Sequence, residues 1–241
     1  MHVLSCAALM RSAIAQCTKI ESIGSGRLRA WLVSEIALSP GQFGIARFTS
    51  CNDPYLSRTL FPVKIGNQGF VIELGTDDPF LRFLYPGEYL SMLGPVGRIA
   101  PVLPYATNVL LVGTSQPQIL LPLAAQALER SSEVTLLLTE SYPVEALDPQ
   151  IEVRSGVLPQ MLDDFSGWAH QIFIQSPSAL PTPLHHKARH YADEAYALIS
   201  TAMPCGTGAC HACAIQCRRG WRLGCRDGPI FKLADLEPEH G

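Results

Sequence analysis

The sequence predicts a multidomain β plus α/β protein, in which an antiparallel β-barrel is followed by a parallel α/β unit and a small cysteine-rich C-terminal domain. Three observations predict it. Up to about residue 103 the chain is divided by Gly and Pro into short stretches rich in β-formers, which is how a small antiparallel barrel reads. After Pro104 come continuous apolar runs such as Val109–Gly113, suited to strands buried on both faces. Five of the eight cysteines then fall within residues 205–225, too dense a cluster for chance. The boundaries expected from these changes are 1–103, 104–183 and 184–241.

Residues 1–17 read as a short helix or a ragged extension without nameable chemistry. From Thr18, strands are expected at Arg27–Val33 and Phe43–Phe48. Val63–Ile65 and Phe70–Leu74 flank Gly66, Asn67, Gln68 and Gly69, a hairpin signal. Tyr85–Glu88 turns the chain into another strand, Tyr89–Leu93, before Gly94–Gly97. In the α/β unit, strands are expected at Val109–Gly113, Val134–Thr139, Ile151–Arg154 and Gln171–Ile174. A helix is expected over Ile119–Arg130, with Pro122 tolerable only near its first turn. Pro177–Pro183 reads as a loop. His185–Ser200 reads as a helix, with Ala195–Ile199 open to a strand assignment.

Hydrophobic residues make up 47% of the chain and charged residues 16%, so a partner or cofactor is expected to cover part of the surface. The net charge of −3 and the absence of a basic stripe with interleaved aromatics argue against nucleic acid. Arg218, Arg219, Arg222 and Arg226 form one local basic cluster, read either as a solvated face or as a docking patch for an acidic partner. No apolar run is long enough for a membrane span. No charged and apolar leader precedes Cys6, and a cytoplasmic location, where thiols stay reduced, is the expectation.

Cys205, Cys210 and Cys213 are spaced C-x4-C-x2-C, and Cys225 follows at a distance. This is the plant-type ligand order for a [2Fe–2S] cluster. Three sulfurs must converge from one short loop, and Gly206 and Gly208 can take positive φ while leaving N–H groups free to face sulfur. Structural zinc would prefer two C-x2-C knuckles, and only Cys210 and Cys213 have that spacing. A disulfide framework suits shorter secreted chains. Cys6, Cys17 and Cys51 stand apart and read as buried, unreactive thiols. Cys217 is the alternative fourth ligand to Cys225.

Barrel, α/β unit and cluster loop, in this order over about residues 18–231, resemble the ferredoxin-reductase-like iron–sulfur flavoproteins. The likeness is sharpest to the electron-transfer subunit of heterotetrameric, NAD-linked dihydroorotate dehydrogenase, and is carried by Cys205–Cys213 and Cys225–Phe231. The resemblance implies an FAD-binding barrel, a Rossmann-like nucleotide-binding-type domain and a [2Fe–2S] domain. Pro40–Phe43 followed by Asp53–Leu60 looks like the family's flavin signature, so Arg58, Thr59 and Leu60 are expected at FAD, with Arg58 offering a fork of donors to the diphosphate. Gly75 and Thr76 resemble a second flavin contact, and Gly94–Gly97 the Gly-Pro-x-Gly turn that ends the barrel. Two positions depart from the family. Where it has a glycine-rich nucleotide loop, this chain has Gly113, Thr114, Ser115, Gln116 and Pro117, and Pro117 removes a donor. Where it has a Cys-Gly-Pro segment, this chain has Gln175, Ser176 and Pro177. NAD binding is therefore expected to be weakened or lost.

The function expected is an electron-transfer subunit passing electrons between FAD and the cluster. It would serve a partner oxidoreductase, either a flavin-containing dihydroorotate-dehydrogenase-type catalytic subunit or another redox protein, in a hetero-oligomer. The alternatives are a fully active NAD(H)-dependent flavin reductase subunit and a non-catalytic scaffold or binding subunit.

Overall fold

The structure, a computed structural model, describes residues 10–52, 55–165, 167–178, 180, 182–191 and 194–238. Cys6, and Asp53 and Pro54 ahead of Arg58, lie outside the described residues.

Seven strands, β1 (Arg11–Gly24), β2 (Arg27–Ser34), β3 (Phe43–Phe48), β4 (Arg58–Leu60), β5 (Lys64–Gly66), β6 (Gly69–Gly75) and β7 (Tyr89–Val96), form one curled antiparallel sheet. Its order is β4-β3-β7-β1-β2-β6-β5. The expected hairpin joins β5 to β6, with Gly66 opposite Gly69. β1 corrects the reading of residues 1–17: Arg11–Cys17 is strand, held between β7 and β2. Its inward positions are Ala15 and Cys17, both fully buried. Small side chains give little β signal in sequence, yet they let β1 lie beneath Leu32, Leu90 and Met92 in the barrel core.

The second sheet takes β8 (Asn108–Gly113), β9 (Glu133–Leu138), β10 (Ile151–Ser155), β11 (Gln171–Ser176) and β12 (Glu194–Ile199), all parallel, in the order β10-β9-β8-β11-β12. A hairpin of β13 (Ala214–Cys217) and β14 (Gly220–Leu223) follows, and β15 (Ile230–Lys232) then returns antiparallel to β12. The apolar runs are explained by burial from both sides. Val109 and Leu111 of β8 face α1 (Leu121–Glu129), whereas Leu110 and Val112 face α2 (Leu158–Asp164) and α3 (Thr182–Tyr191).

Two elements differ from expectation. The helix expected from Ile119 begins at Leu121 after a 3-10 turn over Pro117–Leu120, which places Pro122 in the first helical turn, where its missing N–H costs nothing. The segment 185–200, read as a helix with a strand left open at Ala195–Ile199, divides into α3, starting at Thr182, and β12, so the strand alternative holds for its C-terminal part. Ala195, Ala197, Leu198 and Ile199 are buried there as sheet core, so the sheet runs on past residue 183. The strand order reverses between β8 and β11, the point at which open α/β sheets hold their ligands beyond the carboxyl ends of the strands.

Candidate functional site

The cysteine loop leaves β12 at Ile199 and packs on the end of the barrel. Met203, Cys213 and Cys225 are buried together with Phe43 and Ile45 of β3 and Val96 of β7. The thiols fall into two pairs: Cys205 Sγ lies 3.2 Å from Cys210 Sγ, and Cys213 Sγ lies 3.4 Å from Cys225 Sγ. Both separations far exceed a disulfide bond of about 2.05 Å. Among the described residues no three His, Cys, Asp or Glu side chains converge as a site for a single metal ion. Two pairs of thiols instead match the demand of a two-iron cluster with four cysteine ligands. Gly206 and Gly208 have φ of +66° and +85°, and a Cβ on Gly208 would come within 2.5 Å of Arg226 Cδ, so the winding of the loop requires glycine there.

Electrostatics divides the thiols. Burial works to raise the Cys205 thiol, but hydrogen bonds from Cys210 and Thr207 together outweigh it and bring it down to about 6. Cys225 is pushed up, first by burial and then by its contact with Cys213. Asp227 Oδ2 accepts from the backbone N–H of Leu223 at 2.9 Å, fixing the turn that presents Cys225. Cys217 lies elsewhere. It is buried on β13 with Ile215, Phe231, Leu233 and Leu236, in the core beneath the second sheet.

Arg58, Thr59, Leu60 and Gly75 line one cavity of about 340 Å³ between the barrel and the α/β unit, whose wall on the far side includes Ser115 and Gln116. Thr76 is not part of that lining, and its amide N–H is spent on Gly26 O at 2.8 Å. Sequence reasoning missed Asp78, although it follows Gly75 closely. Its carboxylate takes both ends of the Arg58 guanidinium, 2.8 Å from Nη1 to Oδ1 and a second contact from Nη2, and also caps the Phe80 N–H at 3.0 Å. A guanidinium has five N–H donors. Among the described residues Asp78 takes two of them, which leaves the others for an anionic ligand, and Leu60, Phe61, Ile72 and Leu74 add apolar wall. These residues fit a diphosphate-bearing, ring-containing cofactor such as FAD.

Beside the cavity, the loop after β8 meets the end of β11. Gln175 Oε1 accepts from three consecutive backbone N–H groups, those of Thr114 (3.2 Å), Ser115 (3.0 Å) and Gln116 (2.9 Å). Gly113 has no Cβ, and one would lie 2.4 Å from Pro117 Cβ, so the loop closes tightly on its own proline. In the cavity wall, the fully buried carboxylate of Glu73 is held by Arg27, which also lines the cavity, and by Arg29, each at 3.3 Å, and by Tyr142 OH at 2.8 Å. Burial, and then the charge of Glu73, pushes the Tyr142 hydroxyl up.

A hydrogen bond, beside the packing of Phe61 on Met203, Cys213 and Cys225, joins the cavity to the cysteine loop. Thr59 Oγ1, on the cavity wall, accepts from the backbone N–H of Met203 at 3.3 Å, two residues before Cys205.

Comparison with known proteins agrees with this layout. Residues 200–237 match the family described as the iron–sulfur cluster binding domain of dihydroorotate dehydrogenase B. No curated protein matches the chain in sequence. Among solved structures, the NADH-dependent reduced ferredoxin-NADP oxidoreductase is similar with a TM-score of 0.73 and 19% identity, over 92% of this chain and 89% of that one. The Amycolatopsis cytochrome P450 reductase has a TM-score of 0.61 and 16% identity, over 80% of this chain and 71% of that one. The ferredoxin reductase of carbazole 1,9a-dioxygenase has 0.59 and 16%, over 76% and 63%. The fold is therefore ferredoxin-reductase-like, and the expected resemblance to iron–sulfur flavoproteins of the dihydroorotate dehydrogenase electron-transfer type is borne out in the fold and in the cluster domain. No helix among the described residues is long and apolar enough to cross a membrane.

Proposed function

We propose that this chain is an electron-transfer subunit that passes electrons between FAD and a [2Fe–2S] cluster for a partner oxidoreductase, with weakened binding of NAD. FAD, when bound, supplies a carrier that exchanges electrons in pairs or singly, and the cluster supplies a one-electron carrier. The protein contributes positioning. Arg58 holds the diphosphate, with Thr59, Leu60 and Gly75 around it and Thr76 behind Gly75. Cys205, Cys210, Cys213 and Cys225 hold the irons, two thiols to each.

The observation that carries the reading is the hydrogen bond from Met203 N–H to Thr59 Oγ1. It ties the segment entering the cysteine loop to the strand that walls the cavity, so a flavin held by Arg58 and a cluster held from Cys205 onward would be near neighbours. Short separation is what a relay needs.

Weakened NAD binding is supported by the loss of glycines after Gly113 and by the commitment of the loop amides to Gln175. The partner is proposed to be a flavin-containing catalytic subunit of dihydroorotate dehydrogenase type, in a hetero-oligomer. Beside the cysteine loop, Arg98, Arg219, Arg222 and Lys232 line a groove of about 480 Å³ together with Asp227 and Asp235, leaving an excess of cations, and Trp221 beside Arg222 is exposed. Such a face suits an acidic partner surface.

Anaerobic reconstitution with iron, sulfide and FAD tests the reading. The expected product carries both flavin and cluster absorbance, and photoreduction of the flavin reduces the cluster. Protein that takes up neither group would support the scaffold alternative, and rapid bleaching of the flavin by NADH would support the fully NAD-dependent one.

A further inference from the structure

We propose that Gln175 is a built-in ligand of a phosphate-binding nest at the switch point of the second sheet, so that the site is closed by occupancy while the nest itself persists. Removing that side chain would open a site for a nucleoside diphosphate. The inference deepens the reading of weakened NAD binding and rests on it.

Successive backbone N–H groups that converge on one point make an anion-binding concavity. The amides of Thr114, Ser115 and Gln116 do so, at 3.2, 3.0 and 2.9 Å from a single oxygen. That oxygen belongs to a neutral amide with two lone pairs. Three donors exceed what it can satisfy, whereas a phosphate oxygen would answer them with charge. The nest sits after β8 and against β11, where the strand order reverses, which is where a doubly wound sheet places the phosphates of a dinucleotide.

The occupant is anchored at both ends. Gln175 is fully buried, and its Nε2 donates to Ser115 Oγ at 3.1 Å and to Ser200 Oγ at 3.0 Å. A ligand entering from the cavity would have to break all five side-chain bonds at once. Pro117, which the sequence marks as the loss of a donor, lies one residue beyond the nest and removes none of the three amides that form it. Its ring packs on Gly113 and helps set the turn. The glycine-rich sequence is gone, but the donor geometry is kept and turned on the protein's own amide.

The test is calorimetric titration of the full chain with ADP, for the wild type, Gln175→Ala and Gln175→Glu, each checked for folding by circular dichroism. Gln175→Ala should bind ADP at least about tenfold more tightly than the wild type, a change of about 1.4 kcal/mol. Gln175→Glu should gain nothing, because its carboxylate fills the nest. A folded Gln175→Ala protein with no gain would overturn the inference, as would a wild type that binds ADP equally well or a Gln175→Glu protein that gains as much. If Gln175→Ala does not fold, hydrogen exchange on the wild type decides. Protected amides at 114–116 support the occupied nest, and exchange at the rate of an open loop refutes it. A wild type whose flavin is rapidly reduced by NADH would sink the weakened-NAD reading itself. Inertness to NADH combined with no gain in Gln175→Ala sinks only the present inference.

Discussion

Met203 donates its backbone N–H to Thr59 Oγ1 at 3.3 Å, across 144 residues of sequence. Thr59 belongs to a three-residue edge strand and Met203 to the lead-in of the cysteine loop, so this bond adds a polar tie to the apolar packing of Phe43, Ile45 and Val96 on Met203, Cys213 and Cys225. Thr59→Val keeps the shape and removes the acceptor. It should cost about 1 kcal/mol, lowering the melting temperature by about 2–4 °C for a chain of this size, and slow cluster reduction after a light pulse to the flavin. Thr59→Ser should restore both. Unchanged transfer in a Thr59→Val protein would mean that the contact does not set the separation of the two groups.

The thiol pairing separates Cys225 from Cys217. Cys225→Ser should abolish the reconstituted cluster spectrum, because it removes one of the two thiols 3.4 Å apart. Cys217→Ser should keep the spectrum and iron content, and lower stability by about 1–3 kcal/mol through a hydroxyl buried in an apolar core. Iron analysis with the visible spectrum of each variant decides, and a normal cluster in Cys225→Ser would reassign the fourth ligand.

Arg58 should govern flavin retention. Hydrogen bonds to charged groups contribute about 1.5–3 kcal/mol, so Arg58→Ala should weaken FAD binding by roughly 10-fold to 150-fold, read by flavin fluorescence after equilibrium dialysis. Riboflavin, which has no phosphate, should be affected much less. Arg58→Lys should recover only part of the loss, because an ammonium cannot serve Asp78 and a diphosphate with one planar fork. Equal losses for FAD and riboflavin would place the arginine's role in the fold rather than at the phosphate.

Much of the fold was legible because long-range order here follows local pattern. The hairpin at Gly66–Gly69 and the strands Phe43–Phe48 and Val109–Gly113 carry their turn chemistry or their two-faced burial in adjacent residues. β1 was not legible, since Ala15 and Cys17 earn their burial from β2 and β7 rather than from any β-forming tendency of their own. β12 stayed ambiguous for a related reason: Ala195, Ala197 and Leu198 suit a helix equally well until β11 pairs beside them, which settles the strand assignment that the sequence left open. At the site, the cysteine spacing was explicit because one short loop supplies three of the thiols. Asp78 on Arg58 and Gln175 on the β8 loop were invisible, because each is a contact between segments whose sequences say nothing of one another.

The last prediction concerns the seam between the two sheets. Glu73, on β6, has no exposed side-chain surface, and its partners come from both modules: Arg27 and Arg29 from β2, and Tyr142 from the loop after β9. Arg29 also donates to Ala146 O at 3.0 Å, and Arg27 to Gln118 Oε1 at 3.4 Å, so the carboxylate organises two cations that reach across the seam. Tyr142→Phe should cost about 1.5–3 kcal/mol, the worth of a hydrogen bond to a charged group. Glu73→Gln should cost more, toward about 3–5 kcal/mol, because it leaves two guanidinium groups facing a neutral amide, although their partial exposure lets water recover some of that loss. The double variant should fall short of the sum, since both changes act on one network. Because Glu73 and Arg27 stand in the cavity wall together with Arg58 from one module and Ser115 and Gln116 from the other, Glu73→Gln should also weaken FAD binding. Thermal melts of the two single variants and the double, run beside FAD titrations, check both parts. Strict additivity in the melts, or FAD affinity indifferent to Glu73→Gln, would show that the seam does not shape the site.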